Sequence, residues 1–333
     1  MKKMLTFTMV FVMMLFCMSA YGQTAHAQIE IDGDADFTAA NGVTCLPTCD
    51  GTESKPYEIN GWSITASGSI GIWVHDTSKH FKIYDCYISN STSAAVRIED
   101  VSAGTAEIYN MEIGDNDDDG IIIHGSAGAD IHDNDIGWFW HGNGGRGMSI
   151  ESGSCSTKVT DNYIGWNETY GIQVTTNCAV GTKNVFDGNS IYSSYLWNVW
   201  ISGSTYNDFT SNSINSSIYE DGVYIDNGSS YNHFEDNDIN YNDDYGIYIT
   251  GISTSNTIWK NNFVNNGGTS SQCYDSVGNT WYETSGGCYY GNYYDDHGVG
   301  KYGRIFCSGW YTNDYDIDGS AGETDEGARY YAW

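Results

Sequence analysis

The chain has two prolines and 13 lysines and arginines in 333 residues, and each shortage excludes something. Few prolines beside 40 glycines suit a sheet protein whose many turns use Gly, Asn and Asp, not a helical bundle. No long amphipathic helical pattern is visible beyond the first residues. Thirteen bases against 43 acids leave a formal charge of −30, which excludes nucleic acid as a partner, because a phosphate backbone demands a basic footprint. Anionic lipid is disfavoured for the same reason, whereas solubility and cation binding are favoured. Close Cys-x-x-Cys and paired-His spacings of the zinc type are missing too.

The single hydrophobic run, Met4 to Met18, follows Lys2-Lys3 and precedes Ala25-His26-Ala27. This is the pattern of a secretory signal with a small-x-small cleavage site, and it is short for a membrane span. Residues 1–27 are expected to be removed, leaving Gln28 first and no transmembrane segment. The charge becomes −32, since the segment carries two lysines and no acid. Eight cysteines remain in a chain bound for an oxidising compartment, so disulfides are the default. Cys155 and Cys178 follow matching strands of adjacent repeats and are the first expected pair. Cys45 with Cys49 and Cys273 with Cys288 come next, and Cys86 reads as a small buried apolar group.

What the chain has in abundance is a repeat. Asn207-Asp-Phe209-Thr-Ser-Asn212-Ser-Ile214, a polar turn and Gly222-Val223-Tyr-Ile225 recur 25 residues later as Asn232-His-Phe234-Glu-Asp-Asn237-Asp-Ile239 and Gly246-Ile247-Tyr-Ile249. Each repeat reads as two short alternating strands that cannot bury their apolar face alone, so neighbouring repeats must stack. The expected fold is all-β: a single-stranded right-handed parallel β-helix of about nine to ten coils, roughly 45 Å long at a strand spacing of ~4.8 Å. Residues 28–56 form the N-terminal cap, 57–286 the repeats and 287–333 the C-terminal cap. One position in the first strand runs Trp62, Cys86, Met111, Asn134, Asn162, Asn189, Asn212, Asn237, Asn261 and then Thr284, a stacked amide ladder of structural purpose.

The opening segment Ile31-Asp-Gly-Asp-Ala-Asp-Phe37 with Gly51-Thr-Glu-Ser-Lys-Pro-Tyr57-Glu-Ile59-Asn-Gly61-Trp62-Ser-Ile64 resembles the cap and first coil of NosD-like β-helix surface proteins, common in archaea. Gly291-Asn-Tyr-Tyr-Asp-Asp296 and Tyr315-Asp-Ile317-Asp-Gly319 are similar to their closing motif. The resemblance implies the fold and its caps. It does not choose between copper-binding, carbohydrate-binding and sugar-cleaving members, and linked Met/His clusters for copper are missing. The Cys45-Leu-Pro-Thr-Cys49 insertion departs from the pattern and points to a cross-linked cap.

Three constellations could carry chemistry. Acidic turns precede the second strands: Asp115-Asn-Asp117-Asp118-Asp119, Glu220-Asp221 and Asp243-Asp244. They read as Ca²⁺ ligands, as paired acid/base carboxylates, or as solvated turn acids. Asp118 and Asp119, followed one coil later by Arg146, are similar to the polygalacturonase pattern. However, Arg146 stands where that pattern has His, and only one side of the required carboxyl pair is visible. A lyase using Arg beside Ca²⁺ is the variant of this enzyme reading.

Aromatics form the second constellation: the outward residues Trp200, Tyr224 and Tyr248, with Trp138, Trp140 and Trp166 in and near a longer turn. They read as a platform for sugars or a protein partner, or as a cross-strand ladder. Asp314-x-Asp316-x-Asp318-Gly319 with Asp325 has the spacing of a calcium loop, although the same residues form the closing motif. Asn90, Asn167, Asn215 and Asn227 head N-glycosylation sequons. The expected function is a secreted structural or adhesive β-helix of the cell surface, matrix or a filament. It would associate with itself or with other surface proteins and contact polysaccharide, with calcium as the one candidate cofactor. The alternative is a Ca²⁺-dependent polysaccharide lyase or glycoside hydrolase.

Overall fold

The computed structural model describes residues 23–267, 271–285 and 288–295 and, near the C-terminus, 306–307, 315–317, 319, 322 and 324–325. The chain winds as a parallel β-helix of three long sheets, here called A, B and C, with 11, 10 and nine strands. Each coil thus has three strands where the sequence suggests two. In the best-formed coil these are Asn207–Thr210 in sheet C, Ser213–Asn215 in sheet A and Val223–Asp226 in sheet B.

The extra break has a local cause. The residue before each ladder position from Cys86 to Asn261 has a positive φ: Asp85, Asn110, Asp133, Asp161, Gly188, Ser211, Asp236 and Lys260 lie between 50° and 67°. A left-handed residue turns an extended chain sharply, and Asp, Asn and Gly tolerate that region best. An eight-residue strand therefore becomes two strands meeting at a corner.

Alternation decides the inside. Phe209, Ile214, Val223, Ile225, Phe234, Ile239, Ile247 and Ile249 are all fully buried, and strict register puts each above its counterpart, as Phe209 stacks between Phe186 and Phe234 at 4.3 and 4.9 Å. The amide ladder closes the corner between sheets C and A. Asn212 Nδ2 donates to Asn237 Oδ1 (3.0 Å) and to the Phe186 carbonyl (2.8 Å), and its own Oδ1 accepts from Asn189. The tenth rung is Asn292, which accepts from Asn261, and not Thr284. Two more amide series appear. Asn184, Asn207, Asn232, Asn256 and Asn279 line the corner between B and C. Asn116, Asn143 and Asn167, then Asn242 and Asn266, line that between A and B. Buried corner carbonyls and amides are satisfied this way.

At the N-terminal end Thr24–His26 pairs with Trp62–Thr65, and Ile29–Asp32 with Ile72–His75. A cut after Ala27 would remove the first of these strands from the edge of sheet A. Two short 3₁₀ turns, Asp34–Asp36 and Ala39–Asn41, fold over the raw end, pinned by the Trp62 indole donating to the Gly42 carbonyl (2.8 Å). Cys45 and Cys49 are bonded in this cap, Cα atoms 5.7 Å apart. Cys155 and Cys178 are bonded between adjacent coils, Cα atoms 5.5 Å apart. Cys86 is buried and its thiol is pushed up to about 12 by burial. Cys273 is buried, while the Cys288 side chain lies outside the described residues. So do Asp314, Asp318 and the Asp325 side chain, leaving only the exposed Asp316 of the expected calcium loop. Among the described residues no helix is long and apolar enough to cross a membrane.

Candidate functional site

The candidate site lies on sheet B, whose strands stack their outward residues into columns and are each entered through the variable turn from sheet A. The residue preceding the strand Gly, or its equivalent, forms one such column: Asp119, Arg146, Tyr170, Trp197, Asp221 and Tyr245. The sequence suggests only its first two members as a pair.

Asp119 is 2% exposed and Arg146 is wrapped around it. The Arg146 backbone N–H (2.8 Å) and Nε (2.9 Å) donate to Oδ1, and Nη2 donates to Oδ2. Its Nη1 donates to Ser149 Oγ (3.0 Å), Glu151 Oε1 (2.8 Å) and Gln173 Oε1. Arg146 is therefore committed at every fork position, a bidentate pair of the strong kind, and is no free base. Burial opposes the charge of Glu151, but the Ser149 hydroxyl and Arg146 hold its carboxyl below the usual range.

Asp118 differs: burial, then the charge of Asp119, raise its pKa, with Arg146 opposing. Asp118, Asp119, Gly144, Gly145, Arg146, Thr169, Tyr170 and Gln173 line a cleft of about 330 Å³. The glycines are required by space, since a Cβ on Gly145 would sit 2.4 Å from Asp118 Oδ1 and 2.6 Å from Asp119 Oδ1.

The loop that brings Gly144 to Arg146 also carries the exposed aromatics. Phe139 is 58% and Trp140 75% exposed, and both rings contact Trp166 of the next coil, Phe139 edge-on at 5.0 Å and Trp140 at 6.2 Å. Trp138 turns back instead, pairing with His141, whose Nδ1 lies 2.9 Å from Asp115 Oδ2. Thus Trp140 and Trp166 come together, and Trp138 supports the turn beneath them.

Trp200, Tyr224 and Tyr248 do not offer ring faces in a row. Tyr170, Trp197, Tyr224, Tyr248 and Tyr274 stack nearly parallel, with centroids 5.3, 4.2, 5.6 and 4.2 Å apart. Their faces cover one another. Trp200 is tilted against Trp197 and donates from Nε1 to Asp226 Oδ1 (3.2 Å).

Within this half Asp221 is buried, and its pKa is pushed up to about 8 by burial and then by Asp244. The Tyr245 backbone N–H donates to its Oδ1 at 3.0 Å. Asp244 is itself raised by burial and Asp243. Of the sequons, Asn90 and Asn227 are exposed and Asn215 is half-buried. Asn167 is 0% exposed and its Oδ1 accepts from Asn143, so a glycan cannot reach it on the folded chain.

A family model described as the right-handed beta helix region matches residues 41–184 and 152–299. Among solved structures the chain is similar to a double mutant of the periplasmic alginate epimerase at 16% identity and a TM-score of 0.45, over 62% of this chain and 48% of that one. It therefore spans about half the length of that protein. It is also similar to the A-module of an Azotobacter vinelandii mannuronan C-5 epimerase, at 14% identity and TM-score 0.45 over 77% and 72% of the two chains. The Dettilon tailspike protein follows, at 12% and 0.34 over 70% and 68%. These likenesses concern the coil architecture alone. No curated protein matches the chain.

Proposed function

The chain belongs to the right-handed β-helix family, and from that premise we propose that it is an exported surface or matrix protein that holds a glycan without turning it over. The observation that carries this reading is the cleft beside Arg146, built from the same loop that projects Phe139 and Trp140 beside Trp166. One loop thus supplies exposed rings and part of a polar cleft, the two kinds of contact a sugar chain uses: apolar C–H contact with rings, and hydroxyl partners on polar groups. The volume suits one or two sugar units of a longer chain, at the small end of ligand sites. A formal charge of −30 favours a neutral polysaccharide over an acidic one.

Turnover is disfavoured by how the carboxylates are used. Glycoside cleavage takes two carboxyl groups on opposite sides of the bond. In the cleft Asp119 is locked to Arg146, leaving Asp118 alone. Disulfides and the signal-like N-terminus support export, and the resemblance to NosD-like surface helices belongs to the same reading. Association with other copies would use the same exposed aromatics and is the competing occupant.

Retention on a panel of immobilised neutral and acidic polysaccharides tests this. The wild type should be retained by a neutral polymer, and Trp140→Ala or Asp118→Asn should lose retention while melting like the wild type. Release of reducing or unsaturated sugars that disappears in Asp118→Asn would overturn the proposal in favour of an enzyme. Retention by none of the panel, with self-association that Trp140→Ala abolishes, would overturn it in favour of assembly.

A further inference from the structure

A second cluster lies at the other end of sheet B. Asp32 and His75 are direct register partners on the strands Ile29–Asp32 and Ile72–His75, and Asp76 follows in a left-handed turn, φ 53°. His75 Nδ1 is 2.8 Å from Asp76 Oδ2 and 3.7 Å from Asp32 Oδ1. The three donor atoms all lie within 4.8 Å of one another.

We propose that Asp32, His75 and Asp76 bind a first-row divalent transition ion that clips the cap strand to the first full coil. Ligand bonds of about 2.0–2.2 Å to nitrogen and oxygen set neighbouring donors roughly 3–3.5 Å apart, so the observed spacings need only small side-chain adjustment. The imidazole is already fixed. His75 is 9% exposed and the Trp73 ring stacks on it at 4.2 Å. Its far nitrogen, Nε2, is buried without a hydrogen bond and has Glu30 Oε1 at 3.6 Å. A metal-bound histidine commonly turns its other ring N–H toward a carboxylate, which fixes the tautomer, and Glu30 is placed for that role.

Nearby Asp34 is engaged elsewhere, accepting from Thr77 Oγ1 (2.7 Å), the Ser78 N–H (2.7 Å) and Ser78 Oγ (2.9 Å). Those bonds hold the turn after Asp76 against the cap. One imidazole with two carboxylates suits borderline ions such as Zn²⁺, while Ca²⁺ takes oxygen ligands. The competing occupant is a proton. Burial opposes a charge on His75, but the bond to Asp76, the charge of Asp32 and the approach of the Glu30 carboxylate raise its pKa, which would make it a plain ion pair.

The test is calorimetric titration of the untagged, chelator-treated full chain with Zn²⁺, paired with thermal melts. One equivalent should bind and raise the melting temperature, and 1 mM Ca²⁺ should not displace it. His75→Ala should weaken Zn²⁺ binding by about a hundredfold, and Asp76→Asn by about tenfold. Asn keeps the left-handed turn, so the second variant decides if the first does not fold. No Zn²⁺ binding by the wild type, or equal affinity in either folded variant, would leave only a protonated histidine among acids and overturn the proposal.

Discussion

The two halves of sheet B solve one problem in opposite ways. In a parallel coil every outward residue meets its counterpart about 4.8 Å above and below, so whatever a column repeats is brought into contact. On the N-terminal half one column alternates carboxylate and imidazole: Asp32, His75, Glu99, His124 and Glu151 are successive register partners. Arg97 and Arg146 sit beside it, paired with Glu99 at 2.9 Å and with Asp119. On the C-terminal half the corresponding surface is a stack of rings from Tyr170 to Tyr274. Like charges in such a column would repel, as they do across any strand pair, whereas flat rings gain from repetition. The cleft lies at the junction, where the last committed cation, Arg146, meets the first ring of the stack, Tyr170.

The largest effect is expected from breaking the charged half. Arg146→Met removes every partner that holds the nearly inaccessible Asp119 carboxylate, except the backbone N–H. Removing one member of a buried pair costs about 3–5 kcal/mol, and denaturant unfolding at neutral pH should show a loss of that size. Adding Asp119→Leu should recover much of it. A loss within about 0.5 kcal/mol, the range of an ordinary surface substitution, would mean that the pair is solvated and that the cleft floor is not rigid.

How far these halves are legible in the sequence depends on which spacing carries them. The interior is plain, because Phe209 and Phe234, Ile225 and Ile249, or Asn212 and Asn237 recur at one offset with the same partners. The corners between sheets C and A are hidden: at seven of the eight corners from Asp85 to Lys260 the left-handed residue is Asp, Asn, Ser or Lys and not Gly, so the segment reads as one strand. Asp119 and Arg146 stand out as charges in adjacent coils. Tyr170 and Trp197 share their column but not their chemistry, and no pattern of identical residues reveals them; Asp221 is visible only as part of an acidic turn. The Asp32–His75 contact spans 43 positions and exists only because the cap strand lies directly under the first full coil. Trp200, Tyr224 and Tyr248 show the opposite limit. Their outward placement is readable, whereas whether rings present faces or edges is decided by how neighbours stack.

The aromatic half contains one acid that sharpens the comparison. Asp221 is raised from 3.8 to about 8 by burial and by Asp244, so its neutral form is the one the fold favours. Between the unfolded and folded values the native state holds a proton that the unfolded chain has released. Stability should therefore fall as pH rises through that window, by at most about 1.4 kcal/mol per unit, and level off above the folded value. Asp221→Asn mimics the neutral form and should flatten the slope between pH 5 and 8, leaving the variant more stable than the wild type at pH 8. An unchanged slope would mean that Asp221 ionises freely and that the ring stack does not exclude water from it.

The smallest effect should come from the stack itself. Tyr224 lies between Trp197 at 4.2 Å and Tyr248 at 5.6 Å, and Tyr224→Leu keeps apolar bulk while deleting both ring contacts. Each aromatic pair is worth about 0.5–1.5 kcal/mol beyond its buried area. Leucine recovers part of the packing, so a net loss of about 1 kcal/mol is expected by thermal or urea unfolding. Glycan retention should be unchanged, because the faces that Tyr224 contributes are spent on its neighbours, and the exposed rings are Phe139 and Trp140. The same substitution therefore separates two uses of aromatics on one sheet. If Tyr224→Leu abolished retention while the fold held, the ring edges and hydroxyls of the stack would be the binding surface. The loop aromatics would then be its border, and the charged and aromatic halves would differ in function as well as in the way they fill a column.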